Sequence, residues 1–155
     1  MWFSPIGPGG TNAGWCLMQV YKAGSSPSTI GQNFFWIAPA RGDYNVHHLG
    51  SHYNEWIAAG PINFKPDWNF VAYVYTNGDR LEKLYSNGVL KGQHTLANSF
   101  TIDTAPVSCN KLWLGSRTCS GCYYGRYFNG ILDEVRIYNR ALSADEIKAL
   151  YEATK

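Results

Sequence analysis

The 155-residue chain carries 11 acidic side chains, and the first question is whether any two of them form a hydrolytic pair. A retaining glycosidase holds two carboxyl groups about 5 to 5.5 Å apart, a spacing that alternate residues of one strand provide. No E-x-D-x-E run occurs, and the adjacent Asp133 and Glu134 of "GILDEVRIY" point to opposite faces of a strand. Catalysis is therefore not expected. Asp133 shares its expected strand face with Ile131, Val135 and Ile137, and a buried charge there needs compensation. Two expectations follow for Asp133. It is either a carboxylate tied to backbone amides or an arginine, or a ligand of a structural Ca²⁺, an ion that takes six to eight oxygens.

A second chemical cluster lies in "DYNVHHLGSHYNEW". It gathers His47, His48 and His52 with Tyr44, Tyr53 and Trp56, and Trp36 precedes it. His47 and His48 face opposite ways on a strand, so the histidines do not converge on a metal by spacing alone. Two readings stand: a polar strand and loop with solvated imidazoles, or a sugar-binding surface. In the second, aromatic faces cover sugar C–H groups while imidazole, amide and acid groups bond hydroxyls. Arg117, Tyr123 and Tyr124, around the cysteine loop, form another candidate surface. Trp68 reads as a core residue. The tripeptide "RGD" at Arg41 to Asp43 is used only as a loop signal.

Cys16, Cys109, Cys119 and Cys122 are an even set that permits disulfides. Cys109 and Cys119 flank the expected strand "KLWLGS" and so lie roughly 20 Å apart, whereas a bridge needs Cα atoms within about 7 Å. A local Cys119–Cys122 bridge in "CSGC" is favoured, with Cys16 and Cys109 paired or free. Zinc and redox readings lack a second CxxC and a βαβ context.

The elements that must position these groups are short. Apolar residues make up 45% of the chain and charged residues 15%, with 6 Trp, 11 Tyr and 16 Gly, which suits an aromatic-rich β-fold of one domain over residues 1–155. The 13 Lys and Arg are scattered, so a nucleic-acid partner is not expected. No run approaches the roughly 20 apolar residues of a membrane span, and the first residues do not read as a signal peptide. Asn77-Gly78 and Asn87-Gly88 separate alternating runs and predict type I′ hairpins. Further strands are expected in "GWCLMQVYK", "NFFWIAP", "YNVHHLG", "NEWIAAG", "NSFTID", "KLWLGS" and "GILDEVRIY". Ser143 and Glu146 form the capping-box pattern of one short helix, with Ile147, Leu150 and Tyr151 along its packing side.

The blocks "DWNFVAYVYTNGDRLEKLYSNGVLKGQ" and "LWLGS" followed by "YFNGILDEVRIYNRALSADEIKALY" together resemble the concanavalin A-like, laminin G-like jelly-roll domains of bacterial extracellular proteins. The resemblance implies an all-β fold, a two-sheet antiparallel jelly-roll sandwich with one short C-terminal helix. Such domains commonly begin with a longer segment, including an early strand and an "FDG"-like strand; neither is visible here, so the chain is expected to be a compact variant, or its first strands to be missing or supplied by a neighbour. The resemblance further implies a non-catalytic module, extracellular or at the cell surface, that binds a glycan or cell-surface polysaccharide, with a structural Ca²⁺ as its one cofactor candidate. A second reading is a structural or assembly subunit of a surface appendage, self-associating or joining a neighbouring domain through open sheet edges. A glycoside hydrolase of the same fold is the third.

Overall fold

Consecutive large residues on opposite faces of one strand shape the molecule, because successive side chains of a strand point to opposite sides. In the computed structural model, which describes residues 1–6, 15–22, 32–37, 44–49, 55–59, 67–96, 110–117 and 126–155, strand β1 (Trp2–Pro5) lies between β12 (Gly130–Asp133) and β6 (Asn69–Thr76). Then come β7 (Leu81–Ser86) and β8 (Val89–Thr95), giving the order β12-β1-β6-β7-β8. The second five-stranded sheet runs β5-β4-β3-β2-β9. It comprises β2 (Trp15–Lys22), β3 (Gln32–Ile37), β4 (Tyr44–Leu49), β5 (Glu55–Ala59) and β9 (Asn110–Leu114). A two-stranded ribbon pairs β10 (Ser116–Arg117) with β11 (Arg126–Tyr127). Every sheet pairing is antiparallel.

Phe3, Val71 and Leu84 of the first sheet meet Leu17 of the second in the interior core. Their sequence neighbours Trp2, Phe70 and Tyr85 point the other way and, with Val74, meet Ile147 of helix α1 (Ala144–Thr154). The first sheet is thus covered on both faces, which explains the nearly continuous apolar run "NFVAYVY" where a solvated face would show polar alternation. Trp2 joins the chain's two ends: its ring lies 5.6 Å from that of Tyr151, and its indole N–H donates to Thr154 Oγ1 at 2.8 Å.

Ser143 and Glu146 form the expected capping box, Ser143 Oγ accepting from the Glu146 amide and Glu146 accepting from the Ser143 amide. Arg140 grips the same carboxylate at 2.6 and 3.0 Å. Hydrogen bonding from Arg140, then Ser143, lowers the Glu146 pKa to about 2. Because this value lies below that of a free carboxyl, the contribution to stability is present above the ordinary range and lost as pH falls through about 2.

Two expectations change, one turn holds, and one strand is new. Asn87 (φ 50°) and Gly88 (φ 75°) make the predicted two-residue turn between the paired Ser86 and Val89. The first hairpin instead pairs Thr76 with Leu81, enclosing the four residues Asn77 to Arg80. Its left-handed residue is Arg80 (φ 54°), not Gly78, and the Arg80 amide donates to Asn77 O. The strand expected through "GILDEVRIY" stops at Asp133, because Glu134 takes a left-handed φ of 49°. Finally, Trp2–Pro5, which the sequence reading did not mark as a strand, pairs with both β12 and β6. The expected strand "NSFTID" lies outside the described residues.

Candidate functional site

The register of the second sheet sorts the aromatic and histidine-rich segment. β4 and β5 pair His47 with Trp56 and His48 with Glu55, and paired residues share a face. Gln32 pairs with Leu49, so alternation from Gln32 brings Trp36 to the face of His47 and Trp56. Tyr44 and His48 fall on the opposite face. Trp36, His47 and Trp56 therefore share one face on three neighbouring strands, and it is the face of the core residue Leu17, because Gln19, two residues beyond Leu17, pairs with Phe34; the register assigns the outer face to Tyr44 and His48. His52 and Tyr53 lie outside the described residues. In the other candidate surface, Arg117 pairs with Arg126 across the ribbon, while Tyr123 and Tyr124 lie outside the described residues.

Cys109, Cys119 and Cys122 also lie outside them. Cys16 begins the bulge by which β2 shifts register against β3. The β2–β9 ladder ends on the pair Lys22 and Asn110, the latter being the chain neighbour of Cys109.

Asp133 is exposed, and this reverses the argument from its neighbours. Leu132 packs on the interior core, whereas Ile131 and Asp133 point away from it. Val135 and Ile137 lie beyond the left-handed Glu134 and share no strand face with Asp133. Asp133 Oδ1 accepts from the Glu134 amide at 2.7 Å, so its carboxylate stands in solvent and is tied to backbone. Glu134 pairs with Arg136. No group of three or more His, Cys, Asp or Glu side chains arranged for a metal occurs among the described residues.

Among the described residues the buried acid is Glu82, fully enclosed on the interior face of β7. Tyr73 donates its hydroxyl to Glu82 Oε1 at 2.6 Å. Burial, reinforced by the negative charge of Glu82, pushes the Tyr73 hydroxyl far above its ordinary pKa, keeping it a donor throughout the working pH range. Sequence reading missed this pair because Tyr73 and Glu82 are diagonal neighbours across a hairpin whose loop length it misjudged. Enclosure leaves the pair a structural role.

Two surface features also escaped the sequence. A groove of about 560 Å³ runs between β6, the segment 136–142 and α1, walled by Ala72, Val74, Leu142 and Leu150. The arginines along it, Arg136 and Arg140, are held by Glu134 and Glu146. Trp68, expected in the core, is 40% exposed. It stands just before β6, outside the area that α1 covers.

A family model described as the concanavalin A-like lectin/glucanases superfamily matches residues 1–148. Among solved structures, the chain is similar to a native heptameric SAP-like pentraxin from Limulus polyphemus at 13% identity and a TM-score of 0.66, covering 99% of this chain and 68% of that one. It is also similar to an S-layer domain-containing protein (residues 221–444) from Clostridium thermocellum at 25% identity and a TM-score of 0.49, covering 92% of this chain and 64% of that one. No curated protein matches. Two five-stranded antiparallel sheets with a C-terminal helix agree with the family match, and the chain belongs to the concanavalin A-like lectin/glucanases superfamily.

Proposed function

We propose that this chain is a non-catalytic carbohydrate-binding or adhesion module acting outside the cell or at its surface. The observation that carries the reading is the match of residues 1–148 to the concanavalin A-like lectin/glucanases superfamily on a two-sheet antiparallel sandwich, whose register leaves Tyr44 and His48 on the face of the second sheet away from Leu17. An aromatic ring covers the C–H face of a pyranose, and imidazole bonds its hydroxyls in either role. The described acids support a non-catalytic role: Asp133 is tied to the adjacent amide, Glu134 is ion-paired, and Glu82 is enclosed. The fold alone does not decide between lectin and glycanase, so the site must. The surface-associated part of the reading draws on the superfamily and on the resemblance to domains of bacterial extracellular proteins. No helix among the described residues is long and apolar enough to cross a membrane.

A glycan array followed by affinity electrophoresis tests the reading. The intact protein should be retarded by at least one neutral polysaccharide, and Tyr44→Ala should weaken that retardation while leaving the far-UV circular dichroism unchanged. An intact protein that binds nothing on the array removes the proposal.

A further inference from the structure

The face of the first sheet that carries α1 is not wholly covered by it. Trp2 and Phe70 lie under the helix, and alternation along their strands brings Ser4 and Trp68 to the same face. Ser4 pairs with Ile131; the β1–β6 pairing ends at Phe3–Asn69, and Trp68 stands next to it, just before β6. Ile131 and Ser4 thus lie side by side on two strands, with Trp68 beyond them at the start of the third. The large side chains are open, Ile131 being 51% and Trp68 40% exposed, and Ile6, two residues beyond Ser4, is 70% exposed. Strands stand about 4.8 Å apart, so the indole and the isoleucine flank the small serine at roughly 10 Å. The result is a shallow trough with an aromatic wall, an aliphatic wall and a hydroxyl on its floor.

Trp68 is held in place. Its amide donates to Asp67 Oδ1 at 2.7 Å, and the fully buried Asn69 donates its side-chain amide to Asp67 O at 2.7 Å. An exposed indole on a clamped backbone offers contact area with little entropy to lose on binding.

We propose that this trough is a second carbohydrate-contact surface, on the helix-bearing face, which takes a neutral pyranose chain. The inference rests on the glycan-binding reading above but concerns a different sheet. Three features select the occupant. The exposed Asp67 and Asp133 flank the trough as hydroxyl acceptors, and β1 and β12 contribute no lysine or arginine, which disfavours acidic glycans. A pyranose ring presents an apolar C–H face to the indole and hydroxyls to serine and carboxylate. The three exposed apolar side chains fall well short of the roughly 20 to 30 residues per side of a stable protein interface, so a small ligand fits the trough better than a second copy of the chain.

The test uses the full chain with three soluble polysaccharides, a mixed-linkage glucan, a galactomannan and a sulfated galactan, measured by calorimetry. Trp68→Ala should weaken binding to a neutral polymer about tenfold, as expected for a central aromatic anchor, and Trp68→Phe should restore part of it. Far-UV circular dichroism confirms that both variants fold, and Ile131→Ser provides an independent lesion that should weaken the same binding. If the intact protein binds none of the polymers, the glycan reading itself fails. If it binds and Tyr44→Ala abolishes binding while Trp68→Ala and Ile131→Ser leave it unchanged, the first surface stands and the trough is overturned. Preference for the sulfated galactan, or loss of a concentration-dependent dimer in Trp68→Ala with glycan affinity intact, also overturns it.

Discussion

Tyr73 and Glu82 place a hydroxyl against a carboxylate at 2.6 Å within the sandwich. Truncating a donor to a buried acid leaves the acid's desolvation less compensated, at a cost of about 1–3 kcal/mol. Tyr73→Phe keeps the ring packing and removes the hydroxyl alone, so urea unfolding should show a loss of that size with an unchanged m-value. Asp133 offers a contrast, since its exposed carboxylate bonds the adjacent amide. Asp133→Asn retains an acceptor and should change stability by no more than about 0.5 kcal/mol. A chelator should leave the melting temperature where it was; a fall on chelation, reversed by calcium and absent in Asp133→Asn, would reinstate the ion. The sequence led to Asp133 rather than Glu82 because both lie in alternating runs, and what separates them is where each strand ends and which face the second sheet covers. A left-handed, non-glycine Glu134 has no reliable signature in composition.

The two Asn-Gly turns differ at the level of elements. Gly88 has φ +75°, and a Cβ there would meet Tyr151 Cδ1 at 3.0 Å, whereas a Cβ on Gly78 meets nothing within 4 Å. Gly88→Ala should therefore cost about 1 kcal/mol or more, through backbone strain and displacement of the helix. Gly78→Ala should be neutral or gain about 0.4–1 kcal/mol from a less flexible unfolded chain; comparing the two melting curves checks the assignment. The helix was legible because capping and i, i+3, i+4 spacing are local signals, as was the Asn87-Gly88 turn. The loop from Asn77 to Arg80 was not, since the register of its flanking strands is set by which residues face the interior. β1 escaped notice as a four-residue strand ending in Pro5, too short for alternation to register. Trp68 was misplaced because a strand-start aromatic reads as core until the extent of the helix is known. For the aromatic and histidine cluster, alternation already separated His47 from His48; only the pairing of β4 with β5 could join His47 to Trp56.

Across the whole molecule, one sheet serves two cores. Phe3, Val71 and Leu84 face the second sheet, and Trp2, Phe70, Val74 and Tyr85 face α1. Ile147 is the fully buried anchor of the helix, and Ile147→Ala should cost about 2–5 kcal/mol. If α1 is an integral layer, a single cooperative transition should shift as one, with near-UV circular dichroism and helix amide exchange reporting the same loss. Separate unfolding of the helix ahead of the sheets would contradict that. The trough beside Trp68 borders this layer, so a helix detached by mutation would also widen it and alter glycan binding.

β1, near the beginning of the chain, is held between β6 and β12, and the indole N–H of Trp2 reaches Thr154 across 152 positions of sequence. During synthesis the first strand can find β6 early, but its other neighbour and the helix over Trp2 follow only after the second sheet. The sheet therefore cannot close from one end to the other as the chain emerges. Such long-range closure is slow, and until the last turn of α1 leaves the ribosome the nascent chain carries Trp2, Phe70 and Tyr85 uncovered, a surface open to non-native contacts.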